Sequence, residues 1–466
     1  MGRESGLIRG MFYVLIANII NMVFNLITNF ILPKYLSIDS YAAIKTYQLY
    51  ISYIGALHLG FIDGMYLRYG GKRLSSIKKE ELSNNLGTLR IFQIVMATVF
   101  IIISLLLNNR VLLFFSLAIV PLNMANYFTS LYQATGEFNR YGRIINATAV
   151  LNCCVNVIFI FLLKTDNYSL FLGAYIFINI IIWIFLEIGL KKSAGSNKSL
   201  FSFSISELLQ NCQAGILLML GNLSSFVLTG LDRWFVKFLM DTTAFAYYSF
   251  AVSMESFLNV AMNPVTVTLY NYFCKHQETE RIVRVRNCVM IFASIIIAAA
   301  FPAKFILEVF LNNYIESTYV MFILFATQLF SMLNKGIYIN LYKAQRRQKE
   351  YFIKLVIVII SGAVFNALCY WVVPAKESFA VGTLMSAVLW FVLNKYGFVN
   401  LKYSIKEYIY IILNLGVFIS CGYFLNSIVG LIIYIIYLCI ATFILMRGDF
   451  EFIIEYLLNK GVARGL

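Results

Sequence analysis

Charge is scarce in this chain. Asp, Glu, Lys and Arg make up 13% of its 466 residues, while 61% are hydrophobic. Soluble domains carry about 25% charged residues, so a soluble fold is excluded. Proline is scarce too, with five residues, which leaves long helices largely uninterrupted. Histidine occurs twice, at His58 and His276, and none of the eight cysteines belongs to a CxxC pair. A zinc site and a disulfide framework are therefore not expected. No P-loop and no GxSxG motif occurs, so nothing points to ATP hydrolysis or to a serine nucleophile. The net charge of +15 falls in short loops rather than on one soluble face, which speaks against nucleic acid as a partner.

What is present is an all-α polytopic membrane protein. One crossing needs about 20 apolar residues. Fourteen segments qualify, at roughly 11–33, 41–66, 87–107, 111–133, 144–163, 169–190, 207–236, 242–271, 286–303, 318–342, 351–373, 379–399, 406–426 and 428–446. The first lacks a small-residue cleavage site and reads as a retained span. The closing segment from Arg447 is charged and amphipathic, as expected at a membrane surface. Loop charge alternates. Lys72, Lys78, Arg140, Arg143, Lys191, Arg281, Arg286, Arg346 and Lys402 lie in one set, and little more than Lys34, Arg110, Lys164, Lys304 and Lys376 in the other. The positive-inside rule then puts both termini in the cytoplasm.

The chain repeats itself. Leu131-Tyr-Gln-Ala-Thr-Gly-Glu-Phe-Asn-Arg-Tyr141 lies on Leu341-Tyr-Lys-Ala-Gln-Arg-Arg-Gln-Lys-Glu-Tyr351 at an offset of 210, and Asn156 then meets Asn366. Leu36-Ser-Ile-Asp-Ser-Tyr-Ala42 lies on Met240-Asp-Thr-Thr-Ala-Phe-Ala246 at an offset of 204. Both offsets span six helices, which implies parallel halves related about the membrane normal. The expected organisation is a six-helix lobe over 1–200, a second over 201–402, and a C-terminal helix pair with a tail over 403–466.

Polar groups recur on helical faces inside these spans. Asn18, Asn21, Asn25 and Asn29 share one face of span one. Span two carries Lys45, Gln48, Ser52 and Gly55, with His58 near them; span eight carries Tyr248, Glu255, Asn259 and Asn263; span ten carries Gln328, Ser331, Lys335 and Tyr338. Span seven holds Asp232, Arg233 and Lys237. An ionisable residue within a span is a functional-site candidate. Together these stripes would ring a polar, mostly cationic cavity between the lobes. Each has a plainer alternative. The asparagines can bond neighbouring helices. Lys45 and Lys237 can snorkel to the interface. Asp232 with Arg233 can form a local pair. Glu255 can neutralise a lysine, or bind a proton or sodium ion. His58 can be a hydrogen-bonded packing residue rather than a proton relay. Asp63 and Arg68 can lie at the membrane surface.

Three local patterns resemble a known family. Pro33-Lys-Tyr-Leu-Ser-Ile-Asp-Ser-Tyr-Ala42 is similar to an "L-x-P-x-x-L-x-x-x-x-Y-G" stretch between the first two spans, with Ala42 in place of the usual glycine. Asp63-Gly64 and Arg68 resemble its "D-x-G … R" stretch, with the spacing compressed. Gln133-Ala-Thr-Gly-Glu-Phe-Asn-Arg-Tyr141 is like its "Q-A-x-G-x-x-R-R-Y" loop. The family is the O-antigen and capsule repeat-unit flippases of the multidrug/oligosaccharidyl-lipid/polysaccharide exporter (MOP) superfamily. The resemblance implies two six-helix lobes with alternating access and an undecaprenyl-diphosphate-linked oligosaccharide as cargo, moved from the cytoplasmic to the outer leaflet of the inner membrane. It implies Arg233, Lys335, Lys45 and Lys237 as the headgroup site. The sugar would meet Asn18, Asn21, Asn25, Asn29, Gln48, Ser52, Asn259, Gln328 and Tyr338. Asp232, Glu255 and His58 would serve ion coupling or charge balance, and Asp63, Arg68, Arg140 and Arg143 the cytoplasmic end. Spans thirteen and fourteen would offer a groove for the lipid tail. No cofactor is expected beyond coupling to a Na+ or H+ gradient; membrane lipids and the polymerase and glycosyltransferases of the same pathway would be its partners. A lipid-linked cell-wall precursor flippase shares this chemistry. A drug or cation antiporter would want a more acidic cavity, and a membrane-embedded polysaccharide polymerase a sizeable outer loop.

Overall fold

The computed structural model describes residues 23–194 and 202–459, and among them there is no strand. Helix α1 covers 23–35. There follow α2 (Ile38–Ile51), α3 (Phe61–Tyr69), α4 (Lys79–Leu106), α5 (Arg110–Ala134), α6 (Phe138–Val157), α7 (Tyr168–Ala194) and α8 (Ile205–Leu239). Next come α9 (Thr242–Ser256), α10 (Leu258–Lys275), α11 (Thr279–Ile297), α12 (Ala300–Phe310), α13 (Thr318–Met332), α14 (Ile339–Ala344), α15 (Gln348–Val372) and α16 (Lys376–Gly397). The chain closes with α17 (Ile405–Phe424), α18 (Ser427–Leu445) and α19 (Arg447–Asn459). Eleven helical stretches among the described residues are long and apolar enough to cross a membrane.

The chain divides into two compact units, Met1–Val227 and Leu228–Leu466, and the division falls within α8. Each unit is organised around its fourth span. In the first, α5 touches α2, α3, α4, α6 and α7. In the second, α13 touches α9, α11, α12, α16 and α17. These central helices are partners in the 210-residue repeat.

The repeat extends to backbone detail. Ser37 caps α2 through its hydroxyl, and Asp241, 204 residues on, caps α9 through its carboxylate. Such caps contribute about 1 kcal/mol each. After α5, the Glu137 N–H reaches Tyr132 O at 2.8 Å around Gly136 with φ +75°; after α14, the Arg347 N–H reaches Tyr342 O at 2.8 Å around Arg346 with φ +56°. A glycine takes the left-handed conformation freely, whereas Arg346 holds it at a steric cost.

Spans two and eight are not the single helices expected. Span two unwinds after Ile51 into a 3₁₀ turn at Ile54–His58, then turns through left-handed Leu59 and Gly60 before α3. Span eight breaks at Phe257 between α9 and α10. The two breaks lie within one residue of the 204 offset, so they belong to the repeated architecture. Unwound backbone inside a membrane protein needs partners from side chains. In the first unit Gln93 Nε2 donates to Leu57 O at 3.3 Å and Asn123 Nδ2 to Ile54 O at 3.4 Å.

Two cations that read as loop charges are anchors instead. Arg286 is 0% exposed. It pairs with Glu407 at 2.8 Å, donates to the carbonyls of Leu401 and Lys402, and lies 3.7 Å over the Tyr403 ring. Lys304 is also buried and donates to Gly422 O and Leu425 O, satisfying the carbonyl end of α17. These contacts, with α12–α18 packing, seat the C-terminal pair on the second unit.

Candidate functional site

Four charges of the second half, Asp232, Arg233, Glu255 and Lys335, converge on one cavity of about 270 Å³ within the second unit. Helix α8 contributes Thr229, Asp232 and Arg233; the broken span contributes Glu255, Ser256 and Asn259; α13 contributes Gln328 and Ser331. Lys335 follows from the π-helical turn Leu333–Tyr338. The remaining wall includes Gly362 and Asn366 on α15 with Thr383, Ser386 and Trp390 on α16. Gly382 lets α16 close on α15, since a Cβ there would stand 3.0 Å from the Asn366 backbone.

Hydrogen bonding divides the four charges into two kinds. Asp232 is 4% exposed and fully engaged. Its Oδ2 accepts from the Tyr248 hydroxyl at 2.6 Å and from Thr383 at 3.2 Å, and its Oδ1 accepts from the Arg233 backbone N–H at 2.8 Å. This carboxylate fastens α8 to α9 and α16. Glu255 accepts from Gln328 Nε2. Arg233 and Lys335, by contrast, make no side-chain hydrogen bond or salt bridge among the described residues, and Arg233 Nε is buried without an acceptor. Formal charge balances at two cations and two carboxylates, but both acids have donors. The open valences are cationic, together with the acceptors Gln328 Oε1 and Asn366 Oδ1, which are buried without partners among the described residues.

Several expected lining residues lie elsewhere. Tyr338 is 0% exposed, and its hydroxyl donates to Tyr403 within an aromatic cluster with Phe391 and Phe398. The reason is the π turn: an inserted residue rotates the face, so the Gln328–Ser331–Lys335 stripe does not continue to Tyr338. Lys237 is half-buried with Nζ 4.9 Å over the Phe245 ring, outside the cavity wall. Lys45 belongs to the first unit. It is buried and donates to Asn29 Oδ1 at 2.8 Å, with Tyr41 at 5.3 Å. Gln48 and Asn25 are exposed, and Asn18 and Asn21 lie outside the described residues.

The remaining first-unit residues form three groups. Ser52, His58 and Asp63 line a separate cavity at the break of span two. Arg68 joins three helices: it pairs with Glu207 at 2.8 Å and Glu81 at 3.2 Å, and donates to Asn211 at 2.8 Å. Around it α3 and α8 cross so closely that a Cβ on Gly64 would overlap the Asn211 carbonyl. Arg140 and Arg143 are exposed, Arg140 beside Glu137 at 3.7 Å. Asp63 and Arg68 are thus drawn into the helix crossing rather than left at a surface.

Sequence reasoning missed Thr383, Ser386 and Trp390. Their spacing on α16, at i, i+3 and i+7, marks one helical face and was readable. Nothing in the sequence paired that face with Asp232.

No family model and no curated protein matches the sequence. Solved structures do. Lipid II flippase MurJ in an inward closed conformation aligns with a TM-score of 0.59 at 12% identity, over 93% of this chain and 99% of that one. An inward-facing multidrug resistance MATE family transporter of the MOP superfamily aligns with a TM-score of 0.50 at 14% identity, over 82% and 95%. The chain shares the fold of these transporters. Where the first unit's central helix carries Ala118, Pro121 and Ala125, the second unit's repeat positions carry Gln328, Ser331 and Lys335. The two halves share a backbone plan and differ in charge.

Proposed function

We propose that this protein is a flippase that turns a lipid-linked oligosaccharide, carried on undecaprenyl diphosphate, from the cytoplasmic to the outer leaflet of the inner membrane by alternating access. The observation that carries the reading is the pair Arg233 and Lys335, two cations whose side chains have no hydrogen-bond partner among the described residues, in a cavity whose carboxylates are already engaged. A diphosphate is a fitting occupant. Arg233 presents a planar fork of donors to phosphate oxygens, and Lys335 a compact point charge. Asn259, Asn366, Ser331 and Gln328 offer hydrogen bonds to sugar hydroxyls. Glu255 is close enough to Arg233 and Lys335 to interact with both electrostatically, and would exchange that partnership for a proton or sodium ion as the headgroup arrives. Both termini face the cytoplasm in this reading, and the polymerase and glycosyltransferases of the same pathway act before and after it.

The test is Arg233→Ala in cells that make a surface polysaccharide. A charge-assisted hydrogen bond contributes about 1.5–3 kcal/mol, so export should fall roughly 10–100-fold with the protein still in the membrane. Lipid-linked repeat units should accumulate on the inner leaflet. Undiminished surface polysaccharide would refute the role. A cell-wall precursor is the second reading, favoured by the MurJ alignment; depletion would then lyse growing cells rather than strip their surface polysaccharide.

A further inference from the structure

The connection between α16 and α17 holds a cavity that the transport reading does not use. It measures about 250 Å³ and lies within the second unit. Lys395, Tyr396, Phe398, Lys402, Tyr403 and Tyr408 contribute to its wall, and among the described residues no carboxylate does. Sites that enclose a drug-sized molecule take about 300–1,000 Å³, so this one suits a smaller group.

The positive charge here is uncompensated. The two neighbouring guanidiniums are answered, Arg286 by Glu407 and Arg347 by Glu350. Lys395 and Lys402 have neither a hydrogen bond nor a carboxylate partner among the described residues. Lys395 Nζ is held by rings alone, 4.9 Å over Tyr408 and 5.7 Å over Tyr396. The Tyr408 hydroxyl is buried without a partner among the described residues. A buried donor of this kind calls for an acceptor. Two cations and one spare donor therefore ask for an anionic group with several acceptor oxygens.

The carbonyl end of a helix ordinarily repels an anion. Here the exposed carbonyls are taken. Arg347 Nη2 donates to Gly397 O at 3.0 Å, and Arg286 Nη1 donates to Leu401 O at 3.3 Å and Lys402 O at 3.0 Å. The same bonds fix the connection, and the Arg286 guanidinium lies 3.7 Å from the centre of the Tyr403 ring. Around the mouth, Tyr396, Val399 and Ile405 are 70%, 68% and 79% exposed. They stand where one span ends and the next begins. Aromatic side chains at span ends sit at the headgroup level of a bilayer.

We propose that this cavity is a phosphate-binding site, filled from the bilayer by the headgroup of an anionic phospholipid. Lys395 and Lys402 donate to the phosphate oxygens, and Tyr408 supplies a third donor. Lysine ammoniums bind phosphate as point charges and tolerate a range of headgroup orientations. A zwitterionic headgroup brings its own cation toward both lysines and is disfavoured. The acyl chains run past Tyr396, Val399 and Ile405. The site is distinct from the Arg233–Lys335 cavity, although α16 serves both: Lys395 follows Trp390 by five residues, about 7.5 Å along the helix. The proposal does not rest on the flippase reading.

The test is native mass spectrometry of the full protein in detergent, titrated with phosphatidylglycerol or phosphatidylcholine. The wild type should retain one phosphatidylglycerol in preference to phosphatidylcholine. Each lysine lost should weaken retention about 5-fold, so Lys395→Gln with Lys402→Gln should weaken it roughly 25-fold. Lys395→Arg should restore most of the loss at that position, and Tyr408→Phe should weaken binding roughly 2–10-fold. Lys349→Gln with Lys406→Gln removes the same charge from exposed positions outside the wall and should change retention less than 2-fold. Thermal unfolding shows that each variant is folded before it is scored. Equal retention of the two lipids overturns the proposal, and so does an equal loss in the Lys349/Lys406 control, which would mean attraction to the basic surface as a whole. Displacement of the lipid by inorganic phosphate at the same concentration would overturn the bilayer source and assign the site to a soluble phosphate.

Discussion

Glu407→Ala removes the carboxylate that answers a fully buried guanidinium. Arg286 would keep its stack on Tyr403 and its two carbonyl acceptors, but its charge would lose the partner at 2.8 Å. Stranding one half of a buried ion pair costs about 3–5 kcal/mol. Glu407 also completes the capping box of α17, its Oε2 accepting from the Ser404 N–H at 2.8 Å, and losing a cap adds about 1 kcal/mol. A domain of 150–250 residues moves its melting temperature by about 2–4 °C per kcal/mol, so the drop should be roughly 8–24 °C. The assay is thermal unfolding of the purified protein in detergent, followed by loss of the monodisperse peak. Glu407→Gln retains the acceptor oxygen and should fall between wild type and alanine. The double replacement Arg286→Met with Glu407→Leu should melt above Glu407→Ala, because two matched apolar groups cost less than one stranded charge. Wild-type melting of Glu407→Ala, or a double variant below it, would refute this account of how the C-terminal pair is held.

Two further outcomes test placements that differ from the sequence pattern. Tyr338→Phe should leave translocation unchanged and lower stability by about 0.5–1.5 kcal/mol, since it removes one hydroxyl contact to Tyr403 and none to the cavity; a large transport defect at normal stability would return Tyr338 to the substrate path. Gly64→Val should destabilise the first unit by about 1–3 kcal/mol or more through overlap with the Asn211 carbonyl, whereas Gly221→Val, with open space around it, should not; equal melting of the two would refute the close α3–α8 crossing.

Much of the helical plan was legible because apolar runs of membrane length and short basic loops are strong one-dimensional signals. The gathering of Arg233, Lys335, Asp232, Glu255, Asn259 and Gln328 at one cavity was legible for a related reason: each is a polar residue on a named helical face inside an apolar run. Phase and partner choice were less so. Tyr338 follows Lys335 by three residues and would share its face on an ideal helix, but the π turn moves it into an aromatic cluster, and no composition rule marks where a π turn falls. Arg286 reads as one more loop cation because its partner Glu407 is 120 residues away. Asp232 reads as a partner for its neighbour Arg233, yet its side chain bonds Tyr248 and Thr383, which only tertiary packing brings near.

The repeat recovers part of what local pattern loses. The sequence match at 204 covers seven residues around the start of spans two and eight, and says nothing directly about their middles. In the structure the same offset that relates the Ser37 and Asp241 caps also relates the two breaks. A cap conserved in position fixes the helix start, and an equal run of residues then carries both chains to the same depth before unwinding. What diverged is the chemistry at that depth. The first unit opens widely there and holds His58 and Asp63. The second breaks at one residue and holds Glu255 and Asn259. A broken helix offers polar groups to a cavity at low cost only where side chains complete its backbone bonds. Duplication supplied that opening twice, and substitution then set Glu255 and Asn259 at one opening and His58 and Asp63 at the other.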